Sequence, residues 1–341
     1  MKRAFTLVEL LCCMAIVAIL ATMGLWVMHS ASQAVKRDRT VATIAKIDTY
    51  ISDIYNSYET RRLPCDLISP TFASVPAGNA NSERAGRKLD AMRDLMRMEM
   101  PDCWNDIGDG PLVFPWSSGN PWTANKPRIT LSMQAKYLLA KNFLLVKYSE
   151  PEADKILAEY ASAKLLYMIV MTHNPEAAEH FRADEIARPT EDTMPVFVDG
   201  WGNPIKWLRW APGFDQSTAQ PVVTPIDSSV SRQKAASEFP DPMNPRRAVR
   251  QGTLTSPYTT ELGWMLIPLI YSAGSDGIYD ISVGKGTYHY SRDPYQVFSG
   301  TNPFSLGSPT DSNNLSVTSS GPANGSLDHY DNVTNHQKST K

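Results

Sequence analysis

The stretch Phe5-Thr6-Leu7-Val8-Glu9-Leu10-Leu11 follows a short basic leader, Met1-Lys2-Arg3-Ala4, and opens a run from Leu10 to Met28 that holds no charged residue. Glu9 is the single carboxylate at the head of that run. A charged side chain at such a depth of a membrane helix costs about 2.5–3.5 kcal/mol on insertion scales, so the acid asks for a partner. The run is about nineteen residues long and, at about 1.5 Å per residue, spans roughly 28 Å, the thickness of a bilayer core. Lys2 and Arg3 precede it, and the positive-inside bias therefore keeps the N-terminus cytoplasmic and sends the remainder of the chain outward.

Lys2-Arg3-Ala4, then the seven residues from Phe5, then an apolar stretch, resembles the N-terminus of type IV prepilins and type II secretion pseudopilins. The resemblance implies cleavage between Ala4 and Phe5 by prepilin peptidase and N-methylation of Phe5. It implies that Glu9, fifth in the mature chain, pairs with the charged N-terminus of a neighbouring subunit. Ala4 stands where the family usually carries Gly, and is itself small.

Three plainer readings fit less well. A general signal-peptidase site at Ser30-Ala31-Ser32-Gln33-Ala34 would need a shorter apolar run and no acid near its start. Lipidation of Cys12 or Cys13 expects a small residue before the cysteine, and Leu11 precedes Cys12. An ordinary membrane anchor leaves Glu9 unexplained.

Past the apolar run the chain continues without a breaker to Arg62, with Val41, Ile44, Ile47, Ile51, Ile54, Tyr55 and Tyr58 at steps of mostly three and four, which marks one helical face. Leu63-Pro64 ends it, since Pro lacks the backbone donor and disfavours helix in the residue before. Residues 5–62 thus read as one rod of roughly 85 Å, membrane-spanning over 5–28 and amphipathic beyond. The rest, 42% hydrophobic and 20% charged overall with a formal net charge of −2, reads as a globular head and excludes a polyanion binder: no nucleic-acid partner is expected.

Residues 63–190 read as a mainly helical insertion. Arg84–Met100 places Leu89, Met92, Leu95, Met96 and Met100 on one face; Leu131–Tyr148 and Pro151–His173 follow, the latter behind a Ser149-Glu150-Pro151-Glu152 cap. Residues 191–298 carry strand patterns at Pro195–Asp199, Ile205–Trp210, Leu262–Tyr271 and Ile278–Val283. Seven prolines between Ala211 and Pro257 predict a long loop over 211–257. In Ser299–Ser326, 22 of 28 residues are Ser, Thr, Asn, Gly or Pro, so 299–341 reads as a disordered tail unable to offset its ordering entropy.

Two head segments extend the resemblance: Asp199-Gly200-Trp201-Gly202-Asn203-Pro204 and Tyr271-Ser272-Ala273-Gly274-Ser275-Asp276-Gly277 are similar in order and wording to the sheet region of major pseudopilins. There the second loop binds calcium, which implies Asp276, the carbonyl of Ala273 and Asp280 as ligands. The acidic run usual after that loop is missing. Calcium takes six to eight oxygens, and the competing reading is a tight turn with Asp276 accepting local backbone hydrogen bonds.

The same loop approximates a nucleophile elbow at Ser275, but Ile278–Gly284 alternates like a strand where an elbow needs a helix, and His289, His329 and His336 offer poor partners. His173 and His180 are split by Asn174-Pro175, and no zinc spacing is present. Trp201, Trp207, Trp210 and Trp264 read as core or sheet-face residues rather than a glycan platform. Cys65 and Cys103 fall in the exported part, where a disulfide between them is open.

The expectation is therefore an α+β, pilin-like chain: a long N-terminal transmembrane and amphipathic helix, then a head with a small antiparallel sheet and an inserted helical block. No cofactor beyond calcium and no catalysis is expected. Its partners would be prepilin peptidase, other pilin-like subunits and an inner-membrane assembly platform. The head would lie in the periplasm before filament assembly, as a shaft or a minor tip subunit. A membrane-tethered binding adaptor is the alternative, and a hydrolase using Ser275 a remote one.

Overall fold

The computed structural model describes residues 7–63, 80–108, 110–111, 127–212, 214–215, 220–221, 238–244, 265–279 and 333–335. Helix α1, Leu7–Thr60, is continuous over 54 residues, about 81 Å at 1.5 Å per residue. Its second half presents Ile44, Ile47, Ile51, Ile54, Tyr55 and Tyr58 to the head, all buried. Each such burial is worth about 1.5–3 kcal/mol, so this face, more than helix propensity, fixes the rod to the head. Val41, expected on that face, is 42% exposed. Thr40 and Thr43 are buried in its place because the head meets α1 there through polar groups.

The helical block comprises α2 (Ala80–Glu99), α3 (Trp104–Gly108), α4 (Arg128–Leu145), α5 (Glu150–Ala158) and α6 (Ala161–His173). The methionine-rich face of α2 is core, with Met92, Met96 and Met100 all at or below 4% exposure. The single helix expected over Pro151–His173 is two. Tyr160 adopts φ 53°, and the Lys164 ammonium sits beneath the freed end of α5, donating to the Ile156 carbonyl at 2.9 Å and the Leu157 carbonyl at 3.3 Å while pairing with Asp192 at 2.5 Å. A cation on the last carbonyls of a helix opposes the negative end of its dipole.

Two short 3₁₀ turns, Pro175–His180 and Ala183–Glu185, lead to the hairpin β1 (Ile186–Ala187) and β2 (Val196–Phe197). The main sheet is three antiparallel strands in the order β3 (Lys206–Pro212), β6 (Leu266–Ser272), β7 (Val333–Thr334). Strands β4 (Phe214–Asp215) and β5 (Gln220–Pro221) form a separate short pair. Helix α1 lies across β6 and β7, and α6 packs on β2 and β3.

Two expectations are corrected. Within the presumed loop 211–257, β3 runs on to Pro212 and β4 pairs with β5. Within the presumed disordered tail, Val333 and Thr334 pair with Ser272 and Tyr271 as a sheet strand, and Asn335 seals the join: its side chain accepts from the Ile270 amide at 2.8 Å and donates to Asp48 of α1 at 2.7 Å. Ile278 and Tyr279 are not in a strand, and 280–283 lie outside the described residues.

Candidate functional site

Among the described residues nothing covers the first half of α1. Every large apolar side chain from Leu10 to Met28 is more than half exposed, with Trp26 at 74%, and the most apolar stretch has a mean hydropathy of 2.5 with none of it buried by the head. A helix apolar all round is buried in lipid or among other helices. Ala4 and Phe5 lie outside the described residues; Glu9 is placed in the first turns of α1 by its backbone alone.

Where the rod leaves this apolar zone, the two head motifs lock onto it. The Asp199 carboxylate accepts from the backbone amides of Trp201 at 2.9 Å and Asn203 at 2.8 Å, which folds Asp199–Pro204 into a tight turn. It also accepts from the Ser272 hydroxyl at 2.6 Å, while Asn203 donates its side-chain amide to the Gly274 carbonyl at 3.0 Å. One turn and one loop, about seventy residues apart in sequence, are thus knotted into a collar. Burial pushes the Asp199 carboxyl above its ordinary range, opposed by these hydrogen bonds. Below the collar the Lys206 ammonium lies 3.6 Å from the Tyr279 ring centroid, and burial lowers its pKa to about 8.

The collar grips α1 by three contacts. Trp201 donates its indole N–H to Gln33 at 2.6 Å, the Gly200 amide donates to the Thr40 hydroxyl at 2.9 Å, and Gly200 rests on the Lys36 backbone. One turn further, Glu185 accepts from the Thr43 hydroxyl and the Lys46 ammonium, each at 2.9 Å. Burial raises this carboxyl, but bonds from Lys46, the Arg182 amide and Thr43 outweigh it and hold the pKa below the usual range. At the far end Tyr58 donates to Glu99 at 2.7 Å and Arg61 closes on the same carboxylate. The head is clasped along α1 from Gln33 to Arg61.

Beneath the sheet, a buried charge network ties α2 and α3 to β3. Arg209, fully buried, donates to the Met100 carbonyl at 2.8 Å and to Asp106 at 2.9 Å, and its amide donates to Asp102 at 3.2 Å. Arg97 pairs with Asp94 at 3.0 Å in the same pool. Asp102, Cys103 and Asp106 are close enough together to suggest a metal, but both carboxylates already serve arginines. Burial, with Asp106 and Asp102 beside it, also raises the Cys103 thiol far above its ordinary pKa, against thiolate ligation.

Asp276 accepts from the Ile278 amide at 2.8 Å, a local turn bond. Ala273 is fully buried and Asp280 lies outside the described residues. Asp199, the carboxylate beside this loop, accepts from N–H and O–H donors. Ser275 sits in a turn with no helix following it through Tyr279, and His289 lies outside the described residues. Cys103 is unbridged, and Cys65 lies outside the described residues. Trp207 and Trp210 are core; Trp201 serves the collar.

Residues 1–25 match the family profile described as the prokaryotic N-terminal methylation motif. The chain carries a prepilin-type signature. It is the hallmark shared by type IV pilins and pseudopilins, and its extent covers the leader, Phe5, Glu9 and most of the uncovered apolar run. No curated protein and no solved structure matches the chain. The match ends at residue 25, so the head lies outside it.

Sequence reasoning quoted both collar motifs but missed Asp199 as their hub and Glu185 as the second clamp. Asp199 had a signal, an acid opening a turn with glycine at +1 and +3 and asparagine at +4. Glu185 had none, because its partners are 139 and 142 residues away.

Proposed function

We propose that this protein is a pilin-like structural subunit. Prepilin peptidase cuts between Ala4 and Phe5 and the new amine is methylated. Glu9 then meets the charged N-terminus of a neighbour as the apolar helices pack into a type II secretion pseudopilus or a type IV pilus-like filament. Before assembly the chain is a single-pass inner-membrane protein with its N-terminus cytoplasmic and its head periplasmic. The observation that carries this reading is the apolar half of α1, uncovered and directly behind the prepilin signature, with the head clasped to the other half only. Its work is mechanical: a rod pulled or pushed along its axis transmits force to the head through the collar, the Glu185 clamp and the Tyr58–Glu99–Arg61 cluster. The enlarged helical block suits a minor or tip subunit better than a repeating shaft subunit.

The test is the N-terminal sequence and mass of the mature chain from membranes with and without co-expressed prepilin peptidase. Peptidase-dependent N-methyl-Phe5 supports the reading, and an intact Met1 or a start near Ala31 overturns it. Glu9→Ala should be processed normally yet fail to enter filaments.

A further inference from the structure

Helix α4 is apolar on two opposite faces. Met133, Ala140 and Leu144 are buried in the head, while Leu131, Ala135, Leu138, Leu139, Phe143 and Val146 form a second stripe facing away. Leu139 is 70%, Phe143 58% and Val146 88% exposed. The stripe runs over about four turns, and a contiguous exposed apolar patch on a monomer is usually one that it uses. Fold stability does not explain it.

The direction of α4 limits what can cover it. Its first turn is bonded to Met98, beside Glu99 at the Tyr58–Arg61 end of α1. Its far end reaches Glu191, next to the Asp192–Lys164 pair and so nearer the collar level. Helix α4 therefore runs from the Glu99 end of the head towards the collar end, in the opposite sense to α1. A bilayer crossed by α1 cannot lie along it, and a copy anchored in the same membrane presents upright helices beside it.

The solvent face of α1 at head level matches it. Val41, Ala45, Thr49 and Asn56, with half-buried Ser52, lie along one line away from the buried isoleucines, and apart from Val41 they are small or polar side chains that let a ridge approach closely. An antiparallel pairing that sets Leu138 opposite Thr49 of a second copy places Leu131 at Asn56, Ala135 at Ser52 and Val146 at Val41, because both helices rise about 1.5 Å per residue. The same register brings Arg128 level with Glu59 and Lys136 within two residues of Asp53. Helix α4 holds Arg128 and Lys136 and no acid, its Lys141 being paired with Glu150 and Asp154 of α5, whereas the α1 line is flanked by exposed Asp53 and Glu59. Pairing α4 with α4 of a second copy would instead set like charges together and, if antiparallel, point the two anchors in opposite directions.

We infer that the outer face of α4 docks on the solvent face of α1 of a second copy of this chain. The contact is head-to-tail and non-closing, so it repeats from copy to copy. It deepens the filament reading, on which it rests for the common membrane.

The test is a photo-crosslinking residue at position 139 of the full-length protein in membranes, with the crosslinked peptides identified by mass. The expected product is a dimer joining α4 to the peptide spanning residues 41–56 of the second copy. Lys136→Glu should lower its yield about fivefold, the scale of one exposed ion pair, and adding Asp53→Lys should restore it. Crosslinks to lipid, to another protein or to another segment, or no crosslink, overturn the contact. Processing at Phe5 is read from the same sample. An unprocessed chain that still gives the dimer would sink the filament reading and leave the contact standing.

Discussion

Gly200 lies against α1 so closely that a Cβ built on it would fall 2.2 Å from the backbone oxygen of Lys36. No rotamer relieves such a clash, since the opposing atom is backbone. Gly200→Ala must therefore lift the collar from α1, loosening the bonds to Thr40 and Gln33. The expected cost is about 1–3 kcal/mol, the range of overpacking, seen as a lowered melting temperature of the detergent-solubilised chain. Gly202→Ala is the control. It has open space but φ of +94°, so its penalty is backbone strain alone and should leave the Trp201–Gln33 contact, read by indole fluorescence, in place.

Glu185 should make the head's grip on α1 sensitive to acid. Its folded pKa lies below the ordinary value, so its contribution is present above that value and is lost as pH falls through the lowered folded pKa. Glu185→Gln should cost roughly 1.5–3 kcal/mol at pH 7, the scale of hydrogen bonds to a charged group. The gap between variant and wild type should close as the solution is taken below about pH 4. Asp199 has the opposite sign: its raised pKa gives a contribution present at low pH and lost as pH rises through the folded value. Chemical denaturation of Glu185→Gln and Asp199→Asn across pH 3–7 separates them, and parallel curves would refute the assignment.

Much of this architecture was legible in the chain. The unbroken rod could be read because its signal is local: apolar residues at steps of three and four, no breaker until Pro64, and a terminus within two residues of the expected one. The Asp199–Pro204 turn was visible for the same reason. What stayed hidden depended on distance in sequence. The Tyr160 break goes with a Lys164–Asp192 pair that caps the last carbonyls of α5, and composition cannot show that those carbonyls take a cation held by an aspartate 28 residues on. Arg209, set between two tryptophan-bearing positions of an apolar strand, gave a hint in being the one charge between Trp207 and Trp210, but its acids lie about a hundred residues upstream.

That arginine is the structural linchpin of the helical block. Arg209→Met keeps the volume and removes the charge, taking the Arg209 guanidinium from buried Asp102 and Asp106 and leaving Arg97, 3.7 Å away, beside Asp106. Breaking a buried pair in this way costs about 3–5 kcal/mol, comparable with the whole stability of a small domain. Accumulation of the variant in membranes should fall sharply, and limited proteolysis should open the segment joining α2 to α4. Adding Asp102→Asn and Asp106→Asn should recover part of the loss; no recovery would mean that the arginine acts by packing alone.

Asn335 tests a second place where composition misled, the first being the 211–257 segment. Its segment follows a stretch too poor in apolar residues to fold by itself, yet its side chain donates to Asp48 at 2.7 Å and to the Pro268 carbonyl at 3.0 Å, and it accepts from the Ile270 amide at 2.8 Å. A short strand held by a side chain bridging sheet and rod does not need its own apolar face, because the ordering is paid by bonds that neighbouring elements would otherwise leave unmade. Asn335→Ala removes all three side-chain bonds and strands the Ile270 amide, for an expected loss of about 1–3 kcal/mol. Hydrogen exchange gives the sharper readout: the Ile270 amide should exchange much faster in the variant, while amides of β3 facing the other edge of β6 keep their protection. Equal protection at Ile270 in both proteins would show that the C-terminal strand does not hold this edge.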